Sequence, residues 1–431
     1  MLVITYYWPP SGGSGVQRWV KFAKYLPQEG WEPVIYAPEG ADYPSLDQTM
    51  GADLPSSLEV IRHPIWEPYA VYRRLMGGSK TSQGPVTEIS SGRKTWKQKL
   101  SLWIRANLFV PDPRVGWVRP SVKFLKKYLE EHPVDVIVTT GPPHSVHLIG
   151  QKLHRALGTP WIPDFRDPWS RMYYLKYLPM LPCVKRRILH QEQSVLDECT
   201  SVLAVTPVVR EQFMERTATP VAMITNGYDA EDFASPAPEA DGFFNLSHTG
   251  LLASDGNPRA LWKVLGEMAG ADREFRDKLR IRLSGKVDRE ILEDIKTEGL
   301  EDNLTLLGYV DHPGAVAEQR LARVLLLPLR NDPDYSPILP GKLFEYLAAR
   351  RPILGIGQED GAMARVIADA SAGDTFDWNN RIGIRGYLER AWEEFKNSGD
   401  VPATTGDIEK YSRRNTTAAL AELLEKTTKQ Q

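Results

Sequence analysis

Lys342 and Glu345 stand one helical turn apart in the segment Leu339-Pro340-Gly341-Lys342-Leu343-Phe344-Glu345-Tyr346-Leu347-Ala348-Ala349, whose pattern predicts a helix. A cation and unpaired amides at a helix start attract a phosphate, and a carboxylate one turn further on can accept from ribose hydroxyls. The pair suits a nucleoside diphosphate. Leu343, Phe344, Leu347 and Ala348 also form an apolar stripe that any packed helix would show. The segment gains weight from its surroundings, predicted strands over 324–329 and 352–356 with a Pro/Asp loop in front. Such a unit puts its loop at the carboxyl end of a strand, where open α/β sheets bind ligands.

Other groups have chemistry to offer. Gly12-Gly13-Ser14-Gly15 after the first predicted strand lets backbone approach an anion, and Arg18 one turn later could add charge; a packing turn explains the same glycines. The third glycine of a dinucleotide fingerprint is missing. Asp164, Arg166 and Asp167 cluster at a strand end beside Trp169, a set suited either to sugar hydroxyls or to a structural Asp/Arg pair. Asp332-Pro333-Asp334 spells the DxD of some metal-nucleotide sites, but Asp and Pro favour a turn and no further ligand motif supports a metal, so none is assigned. His144 and His147 lack a third ligand and, with His248, read as hydrogen-bonded histidines, His144 remaining a candidate for the site.

Positioning these residues takes a large α/β chain. At 431 residues, with 42% hydrophobic and 25% charged residues, two domains are expected. A βαβ opening runs through strands at 2–6 and 32–37, followed by strands near 134–140, 160–164, 201–205 and 221–225. A Pro/Ala/Ser linker at 234–238 separates these from strands at 243–248, 279–284, 304–307, 324–329 and 352–356. The expected organisation is a first Rossmann-like domain over 1–234 and a second over 235–405, with a terminal helix in 406–431 packing back on the first. Residues 40–110 of the first domain read as a basic and aromatic insertion, with 40–95 lacking strong periodicity. Two doubly wound parallel sheets facing across a cleft is the fold expected.

A net charge of −2 argues against a nucleic-acid partner. Cys183 and Cys199 are the only cysteines, too far apart for a CxxC, so neither a disulfide framework nor a zinc site is expected. No membrane-spanning run or signal peptide is read, and the expected location is cytoplasmic. Nine Lys or Arg against two Glu nevertheless fall between Arg62 and Arg105. Trp96, Leu100, Trp103, Ile104 and Leu108 form one helical stripe there. The commoner reading is a solvated helix with this stripe in the core; the other is peripheral contact with the inner face of a membrane through 93–108, or with a lipid-diphosphate acceptor.

Several blocks together are similar to the family-4-like group of retaining GT-B glycosyltransferases, especially those of bacterial polysaccharide assembly. They are Tyr6-Tyr7-Trp8-Pro9-Pro10-Ser11-Gly12-Gly13-Ser14-Gly15-Val16-Gln17-Arg18, Pro163-Asp164-Phe165-Arg166-Asp167-Pro168-Trp169, Ile224-Thr225-Asn226-Gly227-Tyr228-Asp229 and the 340–349 block. They run in family order across nearly the whole chain, with Glu192 ahead of Val195-Leu196. The resemblance implies transfer of a sugar, with retention, from a nucleotide-diphosphate sugar (a UDP-sugar favoured) to a glycan or lipid-linked acceptor, with no metal or other cofactor. It implies that Lys342 and the amides of Leu339 and Gly341 face the diphosphate and Glu345 the ribose. Gly12 and Gly13 would close over the donor. Gly250, Arg259, Lys286 and Tyr309 match positions near phosphates or base, and Asp164 and Arg166 lie on the acceptor side. Two departures stand out. Pro337 occupies the first Glu position of the family's E-x7-E motif, leaving Asp334 as a substitute, and Arg166 aligns where a histidine is expected.

Two rival readings fit the same fold. A nucleotide-sugar epimerase would change the sugar without an acceptor, and a catalytically silent module would bind glycans or partners without turnover.

Overall fold

The computed structural model describes residues 1–67 and 96–429, and the chain divides into two compact units, 1–225 with 413–431 and 226–412. Residues 226–234, expected in the first half, group with the second, and the last helix groups with the first.

In the first unit the strands are β1 (Leu2–Thr5), β2 (Val34–Glu39), β3 (Glu59–Pro64), β4 (Ile137–Gly141), β5 (Trp161–Phe165), β6 (Val202–Ala204) and β7 (Val221–Met223). Among the described residues they form one parallel sheet in the order β3-β2-β1-β4-β5-β6-β7. The helices are α1 (Ser14–Tyr25), α2 (Trp96–Leu108), α3 (Val118–Glu131), α4 (Ser145–Leu157), α5 (Pro182–Glu198) and α6 (Pro207–Met214). Strand alternation splits the core over the two faces of the sheet: Leu2 and Ile4 pack with Ile137 and Trp161, while Val3 packs with Ile35, Val138 and Ile162.

Strand β3 corrects the reading of 40–95 as insertion throughout, since Glu59 to Pro64 pair in register with Val34 to Glu39. As an edge strand it has no buried residue in its run, so no hydrophobic alternation marks it. The basic positions Arg73, Arg74, Lys80, Arg93 and Lys94 lie outside the described residues.

The second unit has β8 (Phe244–Thr249), β9 (Leu279–Ser284), β10 (Leu304–Gly308), β11 (Val324–Pro328), β12 (Ile353–Ile356) and β13 (Gly373–Phe376), parallel in the order β10-β9-β8-β11-β12-β13. Its helices are α7 (Arg259–Ala271), α8 (Arg273–Lys278), α9 (Arg289–Thr297), α10 (His312–Leu321), α11 (Lys342–Ala348), α12 (Ala362–Asp369) and α13 (Arg381–Ser398). The chain ends in α14 (Arg413–Thr428), whose Leu420 and Leu424 pack in the same first-unit cluster as Val16, Trp19 and Val20 of α1.

Both sheets are doubly wound, and the winding direction reverses between β1 and β4 in one and between β8 and β11 in the other. Those switch points are where a crevice opens at the carboxyl ends of such strands. Among the described residues no helix is long and apolar enough to cross a membrane.

Candidate functional site

The switch point of the second unit holds Lys342. Its Nζ lies 3.3 Å from Nε2 of His248, the buried penultimate residue of β8. Nδ1 of that ring is 2.9 Å from the Leu326 carbonyl on β11, which can only accept, so Nδ1 carries the hydrogen. Nε2 then offers its lone pair to the Lys342 ammonium. Burial and the neighbouring Lys342 charge push the His248 pKa down to about 3, so the ring is neutral at physiological pH. Burial likewise pushes Lys342 down to about 8, with Glu345 pulling the other way. A hydrogen-bonded histidine is what the sequence predicted at 248; its service to Lys342, 94 residues away, had no local signal.

Glycine makes room for this cation. Gly250, Gly285 and Gly308 end or follow the adjacent strands β8, β9 and β10, all at positive φ (104°, 102° and 65°). Gly250 N donates to Ser284 O at 2.8 Å and Gly285 N to Gly308 O at 2.6 Å. A Cβ on Gly250 would fall 2.8 Å from Lys342 Nζ, and one on Gly285 would fall 2.6 Å from the Gly250 carbonyl oxygen. Only glycine permits both the backbone angle and the approach. The stitching continues as Leu252 N donates to the Lys286 carbonyl at 2.9 Å, leaving the Lys286 side chain exposed. Tyr309 follows Gly308 and is 91% exposed.

Glu345, one turn after Lys342, is aimed by Gln319 of α10, whose Nε2 donates to Glu345 Oε2 at 2.9 Å and to Thr249 Oγ1 at 3.2 Å. Gln319 is fully buried, so its amide is a fixed donor. Helix α11 is only seven residues long, and two of its early amides are already spent: Leu343 N donates to Pro340 O at 3.0 Å and Phe344 N to Gly341 O at 3.3 Å. The Lys342 side chain, more than a helix dipole, therefore supplies positive charge here. Leu339 is buried and Gly341 exposed at the helix entry.

Other expected residues sit elsewhere. Arg259, at the start of α7, is 64% exposed and paired with Glu290 and, at 3.0 Å, with Asp294. Asp332 caps the turn Pro333–Tyr335 by accepting from Asp334 N at 3.0 Å, so the Asp-Pro-Asp string is a turn.

In the first unit the predicted polar residues are mostly consumed by structure. Asp164 is wholly buried and accepts from Arg18 Nε at 3.2 Å, Arg18 Nη2 at 3.1 Å, Trp19 Nε1 at 2.7 Å and Thr140 Oγ1 at 3.0 Å. Arg18, expected to add charge near Gly12, instead turns inward and also donates to the Thr225 and Ile224 carbonyls at 2.8 and 2.9 Å. Four accepted bonds tie the Asp164 carboxylate into the fold, the structural Asp/Arg pairing that the sequence offered beside a sugar-binding role. Arg166 donates to the carbonyls of Gly141 (3.0 Å), Pro142 (2.8 Å) and Gly15, clamping the β4–α4 loop to the start of α1. Burial lowers its pKa, with Asp164 and Asp167 opposing. Gly12 N donates to Ser45 O at 2.9 Å, and a Cβ there would meet Ser45 and Asp47 at 3.1 Å; this glycine accommodates its own chain. Gly13 (φ 92°) is exposed at the α1 start.

His144 is buried and stacked on Trp169, ring centroids 5.2 Å apart at 6°, and burial lowers its pKa well below the usual range. Asp112 escaped sequence reasoning: it takes the Ser145 amide at 2.8 Å and hydroxyl at 2.9 Å at the start of α4, a pairing across 33 residues that no local pattern announces.

Comparison with known structures places this architecture. No protein-family model and no curated protein matches the chain by sequence. Solved structures match it along its length: a glycosyltransferase from Rickettsia africae ESF-5 (13% identity, 100% of this chain and 99% of that one, TM-score 0.63); the lipopolysaccharide outer core galactosyltransferase WaaB (11%, 99% and 99%, 0.60); and an alpha,alpha-trehalose-phosphate synthase (UDP-forming) from Burkholderia vietnamiensis (12%, 100% and 99%, 0.60). At such identities the likeness establishes the fold, which is GT-B: two Rossmann-like domains, each a doubly wound parallel sheet.

Proposed function

We propose that this protein is a retaining glycosyltransferase of the family-4-like group. It would move a sugar from a nucleotide-diphosphate sugar, a UDP-sugar being favoured, to a glycan or lipid-linked acceptor without a metal. The observation that carries the reading is the Lys342 ammonium, held by neutral His248 above the Gly250 and Gly285 turns, with Glu345 one turn away aimed by Gln319. A partly buried cation beside a neutral ring is electrostatically incomplete, and a diphosphate completes it. Two of the structures similar to it are a galactosyltransferase and a UDP-forming synthase, in keeping with that chemistry.

In this reading Lys342 and the amides of Leu339 and Gly341 meet the diphosphate, Glu345 accepts from ribose hydroxyls, and Lys286 and Tyr309 border phosphate and base. As the anomeric C–O bond breaks, its electron pair passes to the leaving phosphate oxygen, where Lys342 stabilises the charge. The acceptor oxygen bonds to the same face of the sugar and its proton passes to that phosphate oxygen. No protein base is required. Asp164 and Arg166 act by positioning loops, and Arg259 contributes only if it leaves its carboxylate partners.

Thermal-shift screening against UDP-, GDP-, ADP- and dTDP-sugars tests the reading, because a bound ligand stabilises the fold by mass action. One nucleotide class is expected to raise the melting temperature of the wild type and not of Lys342→Ala or Glu345→Ala. No shift with any of them, or transfer untouched in both variants, refutes it. A UDP-sugar altered in the absence of acceptor would assign the chain to the epimerases instead.

A further inference from the structure

The apolar stripe of α2 faces outward. Trp96 is 69% exposed, Leu100 49% and Leu108 65%, with Trp103 and Ile104 close behind, whereas Ala106 is buried. This reverses the expected core-facing stripe, and a helix that turns two tryptophans and three aliphatic side chains to solvent is made for another phase. The helix does not stand alone. Asn107 ties it to the chain entering α5, its Nδ2 donating to Pro179 O at 2.9 Å and its Oδ1 accepting from Leu181 N at 2.8 Å. A groove of about 490 Å³ runs between the two segments, lined by Lys99, Leu100, Trp103, Tyr177 and Pro179. On the α5 side Leu181 and Leu189 are exposed in turn, and Lys185, Arg186 and Arg187 are exposed beside them.

Charge identifies what this face meets. Residues 96–110 and 171–191 together carry eight Lys or Arg and no Asp or Glu, inside a chain of net charge −2. A second copy docking face to face would oppose cation to cation, and a neutral apolar partner would leave the cations unanswered. We infer that α2 and the segment leading through the first turns of α5 form one docking surface for an anionic lipid bilayer, tryptophans and leucines entering the interface and the cations meeting lipid phosphates. The Lys185-Arg186-Arg187 run of α5 extends this face beyond the stretch 93–108. The inference does not depend on the transferase reading.

Co-sedimentation of the full chain with vesicles decides it, comparing phosphatidylcholine alone with about one part phosphatidylglycerol to two of phosphatidylcholine. Binding is expected to the anionic vesicles only and to weaken as salt is raised. Neutralising Lys185, Arg186 and Arg187 together to Gln should weaken it roughly hundredfold, at about fivefold for each cation. Trp103→Ser, at a side chain already part-exposed, should weaken it with the melting temperature unchanged. Absence of binding to anionic vesicles at low salt, equal binding to neutral ones, or full binding by the triple variant overturns the inference. So does concentration-dependent dimerisation abolished by Trp103→Ser, which would give the face to a second copy.

Discussion

The burial of Lys342 makes the proposed nucleotide binding depend on pH in a way that can be calculated. Its pKa falls from 10.5 to about 8, a displacement that costs the free protein on the order of 3 kcal/mol to hold the ammonium form. If a bound diphosphate restores the ordinary value, affinity is constant below about pH 8 and falls about tenfold per pH unit above it until the bound-state value is reached. The apo fold runs the opposite way. Its Lys342 pKa is depressed, so between about 8 and 10.5 the unfolded chain binds more protons, and stability from this group rises with pH. Ligand affinity and apo stability should therefore diverge over the same window.

Titration calorimetry with the nucleotide sugar that scores in the thermal screen, at about pH 7, 8 and 9, measures the first; urea unfolding of the free protein measures the second. Lys342→Met keeps most of the stem without the charge. It should bind weakly at all three values, and the ratio of the two dissociation constants removes the ligand's own titration. A wild-type-to-variant ratio that stays flat across this range refutes the placement of Lys342 against a diphosphate.

Other outcomes follow from single contacts. Glu345→Gln should weaken donor binding by about 10- to 100-fold, the worth of a hydrogen bond to a charged group, and Gln319→Leu should lose part of that through misorientation alone, both read by calorimetry. Gly285→Ala forces a Cβ to 2.6 Å from the Gly250 oxygen at φ 102°, and urea unfolding should show a loss of at least about 1–3 kcal/mol, with donor binding reduced because the Gly250 loop moves. Asp164→Asn leaves the buried Arg18 charge unbalanced and should cost about 3–5 kcal/mol of stability; unchanged stability with lost transfer would instead make Asp164 a ligand-facing group.

How much was legible in the sequence followed the range of each interaction. Central strands such as Val324–Pro328 and Leu279–Ser284 announce themselves because burial on both faces demands continuous or alternating apolar residues. Edge strands β3 and β13 carry no such demand and went unread. The residue types at the Lys342 site were legible for the same local reason, since Gly250, Gly285 and Lys342 each sit at a strand or helix end. What they do to one another was not. His248 meets Lys342 across 94 residues and Gln319 meets Glu345 across 26, pairings set by the sheet order. Arg18 misled for a related cause: helical spacing from Gly12 gives no information on which side of α1 its partner lies, and that partner is 146 residues away.

The two switch points differ in a way that favours the second unit as the proposed donor site. Both are built from strand-end loops with glycine and a basic residue nearby, and from sequence they look alike. Near the first unit's switch point the buried cations are answered from within. Arg18 has a carboxylate and two carbonyls, Arg166 has three carbonyls, and the Gly12 amide has Ser45. In the second, Lys342 is held by a neutral imidazole, while the nearby Glu345 carboxylate is turned toward Gln319. Replacing that imidazole by an anion from a ligand would release the cost that burial imposes, so the free energy of ligand binding includes relief of a strain already present in the free protein. His248→Gln, which preserves an acceptor for Lys342, should therefore keep donor affinity within a few-fold, and His248→Leu, which removes it, should lower the Lys342 pKa further and shift the pH break in binding downward. A break that stays near pH 8 in the leucine variant would show that His248 does not tune the cation.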